Sequence, residues 1–326
     1  MSHNNKIKEI IKPKNQLKLY GYKKYFYFLK KLFEINKLPN TILLSGPKGL
    51  GKSTFAYHFI NFILSKNQEY NYSLENFEIN KENSSFKHIQ NNIHPDFFLL
   101  DSFDEEENIK IEQVRNLLKF INKSSFSEKE KIVLIDNAEL LNKNSSNSLL
   151  KVLEEPNRKT FFLIINNSSA KIIDTIRSRC VEFKFHFTQS EKENIFKKIS
   201  DAYNLDFKEE YTNKFFLFNT PGNFLKYLVQ LEGHEFDHSN DELTYINFFI
   251  EKFRTKKEPY LLELISILIE DFYNNLSLRD IKNFNYYYLS KYRISRMIHD
   301  YKIFNLDKKN LLISIDGILK NEFSFS

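Results

Sequence analysis

Cysteine is almost absent: Cys180 is the single thiol in 326 residues. One thiol cannot build a disulfide framework or a cysteine-based zinc site, which fits a chain kept in a reducing cytoplasm. Long apolar runs are missing too. No stretch approaches the roughly 18 consecutive apolar residues that a membrane span needs, so no membrane partner is expected. The opening "MSHNNKIKEIIKPKNQ" is polar and reads as no signal peptide. Dense basic blocks are lacking as well. The net charge of +6 permits contact with nucleic acid, but the lysines are scattered and mark no surface for it. No internal repeat is found. A hydrophobic fraction of 41%, with 33 Phe, excludes wholesale disorder and predicts bulky cores. The length suits two or three domains.

What is present is an alternation of strand and helix signals over roughly the first 186 residues. Continuous apolar runs suited to buried parallel strands occur at "TILLSG" (41–46), "FFLLD" (97–101), "IVLID" (132–136) and "FFLIIN" (161–166). Between them, Ile111, Val114, Leu117, Leu118 and Ile121 recur at helical spacing. Leu140, Leu141, Leu149, Leu150 and Leu153 do the same until Pro156 stops the helix. This order predicts a doubly wound parallel sheet. The polar stretch from 66 to 95 reads as a loop or short insertion. Beyond about 187 the strand signals fade. One helix opens at a cap, Thr188 or Ser190, and another carries Pro221 in its first turn and Gly233 near its end. From about 240 to 326 the pattern is helical throughout.

The chemistry concentrates in "GPKGLGKST", which fits G-x-x-x-x-G-K-[ST] from Gly46 through Gly49 and Gly51 to Lys52, Ser53 and Thr54. It follows an apolar strand and precedes a helical pattern, the context this motif requires. Glycines let backbone N–H groups close around phosphate oxygens, and the helix N-terminus adds positive potential. Lys52 can reach the outer phosphates, and the Ser53 hydroxyl can bind Mg²⁺. Asp136, at the end of a later strand, is the natural second ligand of that ion, and it can also cap the helix that follows. ATP or ADP is the cofactor such a loop can hold, with Mg²⁺ on Ser53 and Asp136 only when nucleotide binds; an intact loop that no longer binds nucleotide is the alternative. Asn166 or Asn167 closes the fourth strand, where a polar side chain can meet the γ-phosphate. An asparagine at a strand end is equally an ordinary turn residue, and Asn166 stands among the candidates.

Several stretches in this order, "LPNTILLSGPKGLGKSTFAYHF", "HPDFFLLD", "EKIVLIDNAELLNKNSSNSLLKVLEEP" and "DTIRSRCVEF", resemble the delta-prime branch of the bacterial DNA polymerase III clamp-loader family, a set of AAA+ proteins. The match runs over about residues 13 to 186; beyond it only "TPGNFLKYL" is similar. The resemblance implies an α/β AAA+ domain at 1–186, a RecA-like parallel sheet with flanking helices. It implies a small helical lid at 187–235 and an all-α collar domain at 236–326. It further implies a place in a hetero-pentamer with tau/gamma and delta subunits, in the cytoplasm, serving the polymerase holoenzyme by loading the sliding clamp onto primed DNA.

Three departures from the motor members of that family, and one motif kept, shape the expected role. The ion-binding Asp136 is followed by Asn137, whereas the motors carry glutamate; an amide accepts no proton, so general-base help worth roughly 10²–10⁴ in rate is lost. Glu139 is a poor substitute on sequence geometry and reads as a first-turn glutamate favoured by the helix dipole. The lid position that carries an arginine in the motors falls at Leu225, beside Lys226. The four-cysteine zinc module is absent, and His88 and His94 read as solvated loop residues, so no zinc is expected. "SRC", by contrast, is intact, and the resemblance makes Arg179 an arginine finger acting in trans on a neighbour's ATP. Cys180 reads as a small packing residue. Lys151 and Arg158 read as surface charges. The chain is thus expected to be a stator without ATPase activity of its own. An ATP-hydrolysing tau/gamma-like motor is the alternative.

Overall fold

The computed structural model describes residues 12–102, 108–123, 130–156, 159–167, 174–205, 217–218, 220–231, 234, 242–256, 258–304 and 306–322. Five strands, β1 (Thr41–Gly46), β2 (Phe97–Leu100), β3 (Lys131–Ile135), β4 (Thr160–Asn167) and β5 (Val181–Lys184), form one sheet in the order β2-β3-β4-β1-β5. Every neighbouring pair is parallel. The four strands expected from apolar runs lie where the sequence places them, within a residue at either end. β5 was not expected: it is short, lies at the sheet edge and presents mostly half-buried or exposed side chains, so it leaves no apolar run to read.

Strand alternation splits the sheet's side chains between two cores. Ile42, Leu44, Ile132, Leu134, Leu163 and Ile165 pack on one face with helices α1 (Lys23–Glu34), α2 (Lys52–Leu64) and α3 (Ser84–Gln90). Leu43, Val133, Ile135, Phe162 and Ile164 pack on the other with α4 (Ile111–Asn122) and α5 (Lys143–Glu154). Of the sheet's two faces, the first is the richer in phenylalanine. Phe26 is fully buried, with the rings of Phe55, Phe59, Phe62, Tyr72 and Phe77 around it at centroid distances of 5.2–6.1 Å. His58 lies in the same layer between the Tyr72 hydroxyl and the Gln16 carbonyl, 3.0 Å from each. Burial lowers its pKa to about 3, so it stays neutral.

Two readings are corrected here. The stretch 66–95 holds α3, whose cap is the Asn83 side chain accepting from the Phe86 backbone N–H; Ser85, Phe86 and Ile89 turn inward. The apolar pattern at 138–153 is two elements rather than one helix. A 3-10 turn, Ala138–Leu140, comes first, and then Asn142 caps α5 by accepting from Ser145 N–H. The asparagine competes with the helical path and restarts it.

α6 (Asp174–Arg177) precedes β5, and α7 (Gln189–Tyr203) follows it, opened by Thr188 in a capping box with Glu191. α8 (Pro221–Leu231) packs its Leu225 and Val229 with Leu205, Phe196, Ile199 and Tyr203. The chain divides into two compact units, one of residues 1–212 with 219–230, the other of 213–218 with 231–326. The second contains α9 (Glu242–Thr255), α10 (Pro259–Arg279), α11 (Phe284–Phe304) and α12 (Lys308–Glu322). The architecture is a parallel α/β sheet with flanking helices, followed along the chain by a run of helices, as expected. Gly233 lies outside the described residues.

Candidate functional site

The phosphate loop leaves β1 at Gly46 and enters α2 at Lys52. Gly46, Gly49 and Gly51 hold φ of +150°, +82° and +89°, a region side chains rarely enter. A Cβ on Gly46 would stand 2.8 Å from the Phe185 carbonyl oxygen, so the loop path is built around its absence. Tyr22, which sequence reasoning passed over, fastens the loop from behind: its buried hydroxyl donates to the Leu50 carbonyl at 2.7 Å. Lys52 is 3% exposed and donates to Gly46 O, Pro47 O and Asn167 Oδ1, each at 2.8 Å. Those three acceptors match the three hydrogens of an ammonium. Burial lowers its pKa to about 8, against the opposing pull of Asp136 and Glu139.

A chain of amides joins the lysine to the end of β3. Asn167 Nδ2 donates to Glu139 Oε1 at 2.7 Å and to Asn137 Oδ1 at 3.0 Å, and Asn137 Nδ2 donates to Asp101 Oδ1 at 3.0 Å. The Asn167 backbone N–H adds a bond to Glu139 Oε2 at 3.2 Å. Ionised carboxylates only accept, so Glu139 and Asp101 dictate which way both amides face. This corrects two readings. Asn167, and not Asn166, faces the loop lysine, because successive strand residues point to opposite faces; Asn166 Oδ1 is buried with no hydrogen-bond donor among the described residues. Glu139 is no bland first-turn residue. The 3-10 turn, opened by Asn137 at φ 54°, brings its carboxylate onto Asn167. Nothing in "DNAELL" signals that turn except the asparagine, a residue tolerant of left-handed backbone.

Asp136 sits between Ser53 and the Asn137 backbone N–H, whose hydrogen bonds favour its charged form. Burial and the nearby Asp101 carboxylate outweigh them and raise its pKa to about 7. The glycine cradle, Lys52, Ser53, Thr54 and Asp136 together make a donor set that fits a polyphosphate with a hard cation. The sign of the Asp136 shift gives a first prediction. A folded-state pKa above the unfolded value means a contribution present at low pH and lost as pH rises through about 7. In chelator, Asp136→Asn should therefore stabilise the chain, by about 2–3 kcal/mol more at pH 8 than at pH 5. Melting curves of both proteins across that range check it, and parallel pH profiles would refute it.

The N-terminus of α8 rests on the loop. Thr220 Oγ1 donates to Lys48 O at 3.0 Å, and Gly222 N–H donates to Gly49 O at 2.9 Å. The approach is so close that a Cβ on Gly222 would stand 2.6 Å from Gly49 O. Leu225, the lid position singled out in the sequence, is buried in the α7–α8 core.

Arg179 follows α6. Its Nε donates to Glu154 Oε1 at 2.8 Å, its Nη2 bonds the same oxygen, and its Nη1 donates to Thr175 O at 2.7 Å. In the chain by itself the guanidinium is thus engaged at home, with 29% of the side chain still exposed. Arg177 is bound separately to Glu182, which also accepts from Ser45 at 2.6 Å. Cys180 is half-buried, packs against the second core and has its thiol pKa raised to about 11, chiefly by burial. His94 is structural rather than solvated: it accepts from Asp96 N–H at 3.1 Å and lies 3.2 Å from Ser85 Oγ. Lys151 is exposed, and Arg158 lies outside the described residues.

The family model "DNA polymerase III, delta subunit" matches residues 21–189. The chain is 34% identical over 140 residues to DNA polymerase III subunit delta' of Pseudomonas aeruginosa, covering 43% of this chain and 41% of that protein. It is 31% identical over 154 residues to subunit delta' of Bacillus subtilis, covering 47% and 44%. It is 27% identical over 226 residues to DNA polymerase III subunit gamma of Buchnera aphidicola (subspecies Schizaphis graminum), covering 69% and 52%. The matches thus span about half the length of these relatives or less. Among solved structures, a gamma subunit-related protein of Thermotoga maritima aligns over 89% of this chain and 97% of that one, with a TM-score of 0.48 and 18% identity.

Proposed function

The chain belongs to the DNA polymerase III delta-subunit family, and from that membership we propose that it is the delta-prime-type stator of a clamp loader, hydrolysing no ATP itself and lending Arg179 to the ATP site of a neighbouring motor subunit. The observation that carries this reading is Asn137. An amide directly follows the candidate ion ligand Asp136, and it is tied into the Asp101–Asn167 chain. It cannot take a proton from an attacking water. The guanidinium of Arg179, by contrast, stays partly exposed on a weak surface ion pair.

ATP or ADP would be held by Gly46, Gly49, Gly51, Lys52, Ser53 and Thr54, with Mg²⁺ on Ser53 and Asp136. When bound, the metal would neutralise phosphate charge at the end of β3. The partners are tau/gamma and delta subunits of a cytoplasmic hetero-pentamer and, through them, the sliding clamp and primed DNA. Apolar surface in the second unit supports assembly. Phe284, Tyr288 and Tyr292 recur every four residues along α11 and are 50%, 51% and 52% exposed. Such a stripe is a common sign of a protein interface.

One observation favours a second reading, an ATP-hydrolysing motor: the Glu139 carboxylate is joined through Asn167 to Lys52, lying 2.7 Å from Asn167 Nδ2. The isolated chain separates the two. Under the stator reading it turns over no ATP above background, with Mg²⁺ present. Steady turnover abolished by both Lys52→Ala and Glu139→Gln would establish the motor instead.

A further inference from the structure

We propose that Glu154 is the positioning residue of the arginine finger, holding one edge of the Arg179 guanidinium so that the remainder of the fork is delivered in a set orientation. This rests on the reading of Arg179 as a finger. The backbone of Arg179 is already fixed: its carbonyl accepts from Thr41 Oγ1 at 2.6 Å at the start of β1, and its N–H donates to Ile176 O at 3.1 Å. The side chain is the loose part, since an arginine stem carries about 2 kcal/mol of rotamer entropy.

Glu154 ends α5, a helix anchored beneath by Leu149 and Leu153 at 0% and 3% exposure. Its Oε1 takes both Nε and Nη2 of Arg179, the side-on edge of the guanidinium, while Thr175 O takes Nη1. With a longer contact from Nη1 to Ser178 Oγ at 3.3 Å, these bonds use at most four of the five N–H donors. The neighbouring Arg177 is held differently: its Nε and Nη2 meet both oxygens of Glu182, and Glu182 is fixed in turn by Ser45. Glu154 is 48% exposed and commits one oxygen. A pair of that kind is worth only about 0.2–1 kcal/mol. That suffices to bias rotamers, and it is cheap to rearrange when phosphate competes.

The test is a double-mutant cycle on the reconstituted loader. Glu154→Ala should lower kcat for ATP by about two- to fivefold, the rate equivalent of losing that orienting pair, with KM for ATP and ring assembly unchanged. Glu154→Gln, which keeps one acceptor oxygen, should restore most of that rate. In the Arg179→Ala background, Glu154→Ala should cost nothing further. An unchanged kcat in Glu154→Ala, or an equal loss in both backgrounds, overturns the assignment while leaving the finger intact. If Arg179→Ala itself leaves kcat unchanged, the finger reading falls, and this one with it.

Discussion

Replacing Arg179 with alanine is expected to cut the ATPase of the reconstituted clamp loader by about 10³-fold or more, with assembly preserved. A guanidinium placed on a γ-phosphate as charge develops is worth about 10³–10⁵ in rate, or roughly 4–7 kcal/mol of barrier. The structural cost at home should be small. The pair with Glu154 is exposed, and pairs of that kind contribute at most about 1 kcal/mol. Stability and activity should therefore separate, which a core substitution could not achieve. Arg179→Lys should recover only part of the rate, because an ammonium keeps the charge but loses the planar fork. Steady-state turnover beside size-exclusion profiles decides the matter. Wild-type turnover in the alanine variant would remove the trans role.

The second large effect is at Gly49. Gly49→Ala should destabilise the first unit by about 2–4 kcal/mol, and Gly51→Ala by only about 1–2 kcal/mol. Both glycines hold nearly the same left-handed backbone, at φ +82° and +89°, so both lose about 1–2 kcal/mol to local strain. The difference is what a new methyl would meet. At Gly51 the nearest atom is a Tyr22 ring carbon at 3.7 Å, an ordinary contact. At Gly49 it would stand 2.4 Å from Thr220 Oγ1 and 2.7 Å from Asn223 Oδ1. The bonds from Thr220 to Lys48 and from Gly222 to Gly49 would then be lost or stretched, at about 1 kcal/mol each. Denaturant unfolding of the two variants side by side measures the gap. Equal losses would mean that α8 does not bear on the loop.

The parts of this molecule that were legible in the sequence are those where one physical signal dominates. β1, β3 and β4 are buried almost throughout and β2 is half-buried at its centre, so each is a continuous apolar run, told from a buried helix by its short length and flanking turn residues. The phosphate loop was legible because its glycines answer a backbone requirement. Legibility failed where two signals compete. Asn137 and Asn142 each redirect the backbone, so one apolar pattern covers a 3-10 turn and a separate helix, and Glu139 arrives at Asn167 unannounced. Asn166 and Asn167 are the same residue type one position apart, and only the register against β1 tells which faces Lys52. Tyr22 reaches a loop residue 28 positions further along the chain, a tertiary contact with no local trace.

The ammonium of Lys52 meets any incoming polyphosphate with its hydrogens already shared among two carbonyls and an amide oxygen. Occupancy there is an exchange of partners and not a simple addition. Its net gain shrinks to the difference between a charge-assisted phosphate contact and the bonds surrendered. Tenure of a guest at this address is then governed less by the lysine than by the dipole of α2 and by whatever cation accompanies the anion.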